Sequence, residues 1–313
     1  MTDGPEISVV IPTKNRFQLL TARALRSALD QEGVDLEVVV VDDGSHDGTA
    51  ERVAGLGQPR VRVVRRTQSG GMAAARNTGI AEASGEWLAL LDDDDVWSPH
   101  KLVTQLEATR RTGADFVYAG AIAVDEAGRV LHTLYLPPAD ELAEKLQYAC
   151  VLPAGCSNVL VRTETVRALG GFDEALEHVA DWDLWLRLCD VATAAVCEDV
   201  LVAYLLHAEN MHVVSDPSRE LDYLIEKHAP EKRIRPDRVG YSRWVAAQRS
   251  RAGRHRDAAR LYLRGAVAQR APANLVRAVD ALLAKRPSRL VRGLAGRERA
   301  EPAEPPDWVR TYA

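Results

Sequence analysis

Short apolar runs punctuate the first third of the chain, and three of them stop at polar clusters. Ile7 to Ile11 (ISVVI) ends at Pro12-Thr13-Lys14-Asn15-Arg16. Leu36 to Val41 (LEVVVV) runs into Asp42-Asp43-Gly44-Ser45. Trp87 to Leu91 runs into four aspartates, Asp92 to Asp95, and Val61 to Val64 forms a further run between them. Unbroken runs of this length are the pattern of strands buried on both faces. Helical spacing fills the gaps. Residues 17 to 32 place Leu19, Leu20, Ala24, Leu25, Ala28 and Leu29 on one face, with Gly33 where a helix would stop. Thr49 to Leu56 predicts a short helix, and Gly70-Gly71 opens another through Asn77. Ser98 as N-cap and Pro99 in the first turn start one that runs through Leu102, Val103 and Leu106 to Gly113.

This alternation predicts an α/β fold with a doubly wound, mostly parallel sheet. Such sheets bind ligands at the carboxyl ends of their strands, so the three polar clusters are expected to converge on one edge. Beyond Gly113 the pattern loosens. Strands are expected at 116–124, 129–135, 157–161 and 200–206, the last ending at His207. Asp181 to Leu188 reads as a helix, with Leu184, Trp185 and Leu188 on one face. From about residue 218 the chain reads all-helical. Residues 244–252 and 256–269 suggest a helical hairpin, and Leu275, Val276, Val279, Leu282 and Leu283 mark an amphipathic helix. The division expected is an α/β domain at 1–217, a helical extension at 218–299, and a flexible tail rich in Pro and charge at 300–313.

Composition, at 46% hydrophobic and 27% charged over 313 residues, is that of an ordinary globular protein. No apolar run approaches the roughly 20 residues of a membrane span. The opening MTDGPEIS lacks the basic and apolar segments of a secretory signal, so a cytoplasmic protein is expected. The four cysteines, at 150, 156, 189 and 197, lack zinc-ligand spacing. Charge changes the picture more. Residues 231 to 300 hold 19 Lys and Arg against 5 Asp and Glu, a surplus of +14 inside a chain of net −5. That asymmetry suggests an anionic partner, here an anionic membrane surface at its inner face and not a nucleic acid. A solvated arginine-rich surface is the competing reading.

Four adjacent carboxylates at a strand end repel one another, and each is harder to ionise beside the next. A divalent cation, Mg²⁺ or Mn²⁺, held by one or two of them and by a substrate's phosphates would relieve this. An acidic surface turn is the plainer alternative. A calcium loop needs about a dozen residues of alternating ligands, and Trp97 and Pro99 arrive too soon for one.

Five segments in order and spacing carry a resemblance: SVVIPTKNR (8–16), VVDDGSHDGT (40–49), SGGMAAARNTGIAEASGEWLALLDDDDVWSPHKL (69–102), GGFDEAL (170–176) and ADWDLWLRL (180–188). Over residues 7 to about 210 the chain resembles the family 2 glycosyltransferases. The resemblance implies a GT-A fold, Rossmann-like, with the helical segment as a C-terminal extension. It also implies inverting, metal-dependent transfer from a nucleotide-diphospho-sugar. On it, Pro12, Thr13 and Arg16 would lie beside the nucleotide and Asp43 would bond the base. Arg76 and Asn77 would sit under the nucleotide and the aspartates, with helix packing as their alternative role. Asp92 and Asp94 match the D-x-D pair, Asp94 being the direct metal ligand, with Asp92 or Asp93 on ribose or metal-bound water. Asp95 is expected to cap the loop before Ser98, and Trp97 to pack.

Asp181 matches the family's general base, with a helix-cap role as its alternative. An inverting transfer needs one carboxylate to take the acceptor's proton, and no second acid. The usual Glu-Asp pair is broken, because position 180 is Ala. His207, with His212 second, is the candidate late metal ligand. The acceptor is left open among glycans, lipids, natural products and peptides. A sugar-nucleotidyltransferase is a competing reading, weakened by the absence of glycine from PTKNR. A binding or scaffold protein on a degenerate fold is another, weakened by the intact Asp92, Asp94 and Asp181.

Overall fold

The computed structural model describes residues 4–207, 210, 218–229, 234–251, 253–268, 273–283 and 304–312. It divides into two units. The first comprises residues 1–146, 150–205 and 302–313, and the second residues 147–149 and 206–301.

The first unit is built on one nine-stranded sheet. β1 (Ile7–Thr13), β2 (Leu36–Asp42), β3 (Val61–Arg65) and β4 (Trp87–Leu90) lie parallel in the order β3-β2-β1-β4. The sheet continues through β8 (Leu160–Arg162), β6 (Phe116–Val124), β9 (Ala194–Leu205) and β5 (Val96–Trp97), with β7 (Val130–Thr133) paired to β6. β8 is antiparallel to both β4 and β6, whereas β6 and β9 run parallel. Every residue of β1 is buried, as its unbroken apolar run requires. Val9, Ile11, Val38 and Val40 share one core cluster with Leu20, Leu25 and Ala28 of the first helical segment. On the other face lies a helix at Gly71–Glu82, set so close that a Cβ on Gly79 would collide with Val10. Only glycine allows that approach.

Several elements differ from expectation. The helix predicted over 17–32 is two, Phe17–Ala22 and Ala24–Leu29, broken at Arg23. The helix expected to start at Ser98-Pro99 runs Lys101–Thr112, and Ser98 Oγ is 3.5 Å from the His100 amide. Ser157 falls in a 3₁₀ turn, Gly155–Asn158, ahead of β8. β9 starts six residues before the expected strand at 200, because Glu198 and Asp199 interrupt its apolar pattern at an irregularity facing Gly120. Residues 307–311, expected as a loose tail, form a helical turn. Val309 and Tyr312 are buried in a cluster with Val96, Ile122, Val124, Ala203 and Leu205. The Tyr312 hydroxyl donates to Asp30 at 3.0 Å. Charge and proline marked the segment as loose, but its few apolar side chains find a core.

The second unit is helical, with helices at Ser218–His228, Arg238–Arg251, His255–Ala268 and Ala273–Leu283. Ala246, Ala258, Ala259, Tyr262, Ala278 and Ala281 form its small core. The hairpin expected at 244–252 and 256–269 is present, with its first helix longer at the amino end.

Candidate functional site

Strand register brings the three polar clusters together. Thr13, the last residue of β1, pairs with Asp42, the last of β2. Leu91, one past β4, donates its amide to Val10 at 3.0 Å, which carries the aspartate run to the same edge. There Thr13 Oγ1 donates to Asp93 Oδ2 at 2.7 Å, and Arg16 Nη1 donates to Asp93 at 3.0 Å and to Asp94 at 3.3 Å. Asn15, in the left-handed region at φ 55°, gives its amide to Ser45 Oγ and takes the His46 amide on Oδ1. Left-handed backbone is tolerated best by Asn among non-glycine residues. Pro12 lies buried between these groups on β1.

Asp43 is fully engaged by the loop after β3, where the sequence marked Gly70-Gly71 only as a helix start. Arg66 Nε and the Gly70 amide donate to its Oδ1 at 2.9 and 3.0 Å. Ser69 Oγ and the Gly71 amide donate to its Oδ2 at 2.6 and 3.1 Å. Burial pushes this carboxyl up, but those donors and the Arg66 charge together hold it below its ordinary value. Asp43 therefore fastens the segment after β3 to the end of β2. A detectable signal was present, since Arg66 and Ser69 follow a strand whose carboxyl end faces the same edge.

The four aspartates play four parts. Asp92 accepts from Arg76 Nη2 at 2.5 Å. Asp93, buried and beside Asp94, has its carboxyl raised to about 7, by burial first and by the Asp94 charge second. Asp94 is buried and meets Arg16. Asp95 corrects the expectation of a cap before Ser98. It is wholly buried, takes the Ser157 hydroxyl at 2.5 Å on Oδ2, and takes the Leu205 amide at 3.0 Å on Oδ1. It ties the run to the 3₁₀ turn and to the end of β9. Burial and the charges of Asp94 and Asp92 hold its carboxyl well above the ordinary range. Ser157 also receives the Asp92 amide at 3.1 Å. A lone serine gives no sequence signal for such a role. Trp97 packs, wholly buried, with its Nε1 donating to the Ser157 carbonyl at 2.6 Å.

Arg76 stands on the Gly71–Glu82 helix with its guanidinium 5.3 Å from the Phe172 ring. Its Nε is buried, without a hydrogen-bond partner among the described residues. Asn77 holds the GGFDEAL segment instead, donating to the Phe172 carbonyl at 2.9 Å and accepting the Phe172 amide at 2.8 Å.

Asp181 is the second residue of a helix, Ala180–Val191. Its Oδ1 accepts the Trp182 amide at 2.7 Å, so one oxygen serves the helix start. Its Oδ2 faces the loop before β8, where the Cys150 thiol donates at 3.7 Å and a Cβ on Gly155 would stand 2.9 Å away. Ala154 and Gly155 are both left-handed, at φ 57° and 49°, which lays the backbone against the carboxylate. Burial raises the Asp181 carboxyl, and the Arg76 charge opposes the rise. Ala180 is fully buried, so a second acid there would stand inside the protein. The neighbouring Asp183 is structural, paired to Arg187 at 2.7 Å.

The donor set fits a divalent cation by its chemistry. Buried aspartates crowd one strand end, and burial together with mutual repulsion holds Asp93 and Asp95 towards the protonated form. A bound cation would relieve that strain. No three-residue ligand cluster stands ready among the described residues. His207 follows β9 and falls in the second unit, and His212 lies outside the described residues.

Known proteins resemble this chain in sequence and in fold. The profile of Glycosyl transferase family 2 matches residues 8–163. Succinoglycan biosynthesis protein ExoO of Rhizobium meliloti (strain 1021) is 40% identical over 161 residues, covering 51% of this chain and 44% of that protein. Chondroitin synthase of Pasteurella multocida (strain Pm70) is 28% identical over 253 residues, 79% of this chain and 25% of the synthase. The chain thus spans less than half the length of either. Among solved structures, S. aureus TarS 1-349 in complex with UDP-GlcNAc aligns at TM-score 0.57 and 18% identity, covering 92% of this chain and 83% of TarS 1-349. The mannosyltransferase PcManGT from Pyrobaculum calidifontis, in complex with GDP-Man and Mn²⁺, aligns at 0.56 and 20%, covering 94% of this chain and 84% of that one. At these identities the two structures speak for the GT-A fold alone.

Proposed function

Because the chain belongs to glycosyltransferase family 2, we propose that it moves a sugar from a nucleotide-diphospho-sugar to an acceptor hydroxyl with inversion at the anomeric carbon. The observation that carries this reading is the cluster at the sheet edge. A half-buried, upward-shifted carboxylate, Asp181, shares the field of Arg76 with Asp92 of the aspartate run. The first unit, which holds Asp92, Asp94 and Asp181, carries the chemistry.

Asp181 takes the proton of the acceptor hydroxyl as that oxygen attacks. A carboxyl raised above its ordinary value is a stronger base when ionised, which suits the task. Asp94, with Asp92, would hold a Mg²⁺ or Mn²⁺ ion. When bound, such an ion neutralises charge developing on the leaving diphosphate. Arg76, paired to Asp92, would sit under the nucleotide and the aspartates. Pro12, Thr13 and Arg16 would border the nucleotide, with Thr13 and Arg16 also fixing Asp93. Asp43 takes part through the loop it anchors, which would place Ser69 and Arg66 beside the base.

A thermal-shift screen of nucleoside diphosphates with and without Mn²⁺ tests the donor class. A ligand at 100 times its Kd stabilises by about 2.7 kcal/mol. One diphosphate is expected to raise Tm clearly, and only with the metal. A flat response to every diphosphate under both conditions overturns the reading.

The Cys150 thiol supplies a finer test of the base. Donation to Oδ2 favours the ionised carboxylate, so Cys150→Ala should move the acid limb of the kcat/KM profile to higher pH. Turnover on that acid limb should fall by roughly two- to ten-fold, the worth of one net hydrogen bond. An unmoved acid limb would show that the thiol does not act on the base.

A further inference from the structure

Among the described residues, two helices of the second unit carry exposed faces. In Ala273–Leu283, Leu275, Val276, Val279 and Leu282 are exposed, Val279 by 53% and Leu282 by 57%. At about 100° per residue, Leu275, Val279 and Leu282 share an arc of about 60°, with Val276 beside it. Asn274 and Ala281, on the far side, and Ala278, flanking the arc, are buried. In His255–Ala268 the residues Arg256, Arg260, Leu263, Arg264 and Val267 are all exposed, Val267 by 79%. They fall within an arc of about 100°. Ala258, Ala259 and Tyr262 are buried opposite. One helix therefore presents aliphatic side chains, and its neighbour presents arginines followed by aliphatics.

We propose that this face docks on an anionic lipid bilayer. A basic amphipathic helix lies in the interface plane, with its apolar side chains in the acyl boundary and its cations among the headgroups. The charge is complementary to such a surface. Asp257 is the one acid in His255–Ala268, and it is already paired with Arg254 at 2.9 Å and Arg260 at 3.4 Å. Residues 284 to 300 add six more Lys and Arg against one Glu, so covering the face with that segment would set cation against cation. A second copy of the same face meets the same objection. A nucleic acid would neutralise the arginines but leave the exposed aliphatics in water. A bilayer satisfies both. This inference stands apart from the catalytic reading.

Cosedimentation of the full chain with large vesicles tests it, using phosphatidylcholine alone or with about one-third phosphatidylglycerol, at low and at physiological salt. Binding to the anionic vesicles alone is expected, weakening as salt rises. Neutralising one arginine, as in Arg256→Gln, should cost about five-fold in partitioning. Val279→Asp with Leu282→Asp should cost more than ten-fold while leaving helicity and solution turnover unchanged, since both positions are exposed. Equal recovery in the supernatant with both lipids overturns the proposal. So does binding that the Val279→Asp, Leu282→Asp double variant leaves intact. A doubled mass in sedimentation velocity that the same variant abolishes would assign the face to self-association, and capture by polyanionic nucleic acid that the aliphatic changes leave untouched would assign it to that partner; either result replaces the bilayer.

Discussion

Replacing Asp181 by Asn leaves donor binding intact and lowers turnover by about two to four orders of magnitude, the usual worth of a general base. The side chain keeps its size and can still accept the Trp182 amide that Oδ1 takes now, so the helix start survives. What it loses is the ability to take a proton. The residues expected to hold the donor lie on other elements, at the ends of β1, β2 and β4 and on the Gly71–Glu82 helix, so affinity for a nucleoside diphosphate should be unchanged by calorimetry. The pH dependence follows from the environment. Burial raises the Asp181 carboxyl, so the wild-type acid limb should lie above that of an exposed aspartate. Near-normal turnover in the Asn variant would reduce Asp181 to the helix-start role of its Oδ1 and assign the proton to another carboxylate.

The central half-sheet was legible because burial on both faces leaves mostly apolar residues in β1, β2 and β4, in runs too short for a helix. Their ends were legible for the same reason, since polar clusters halt apolar runs. Two-residue β5 was not legible, because Val96–Trp97 is too short to show any period and sits directly behind four aspartates. The break at Arg23 was hidden, since the apolar spacing runs on unchanged across it. At the site, the acids and bases announced themselves by type, but their supports did not. Ser157, Cys150 and Gly155 meet Asp92, Asp95 and Asp181 only through the fold, at sequence separations that no local pattern spans. The misread Asp95 belongs here too. Its partners are Ser157 and the Leu205 amide, far along the chain, whereas a cap would have been local. The exposed aliphatics of Ala273–Leu283 were visible as a periodic face, but a period alone cannot say whether a face is covered.

Asp94→Asn should damage donor binding and turnover together, in contrast to the Asp181 variant. If Asp94 ligates the cation that grips the diphosphate, losing its charge weakens the diphosphate complex directly. Even an outer-shell partner of a metal typically costs 10- to 100-fold, so a ligand should cost about 100-fold or more. Chelation by EDTA should reproduce the loss in the wild-type protein and add little in the variant. Protons compete with the cation for the same cluster. With its folded carboxyl raised to about 7 from an ordinary 3.8, Asp93 contributes stability that is fully present below about pH 4 and lost as pH rises through 7. The metal-free protein should therefore soften across that window, and added Mn²⁺ should restore more stability at pH 8 than at pH 6. Calorimetry of the best-binding diphosphate, with Mn²⁺ and with chelator at both pH values, measures each part. Affinity equal in chelator and metal, with Asp94→Asn binding as well as wild type, would leave Arg16 and Arg76 to hold the phosphates without a cation.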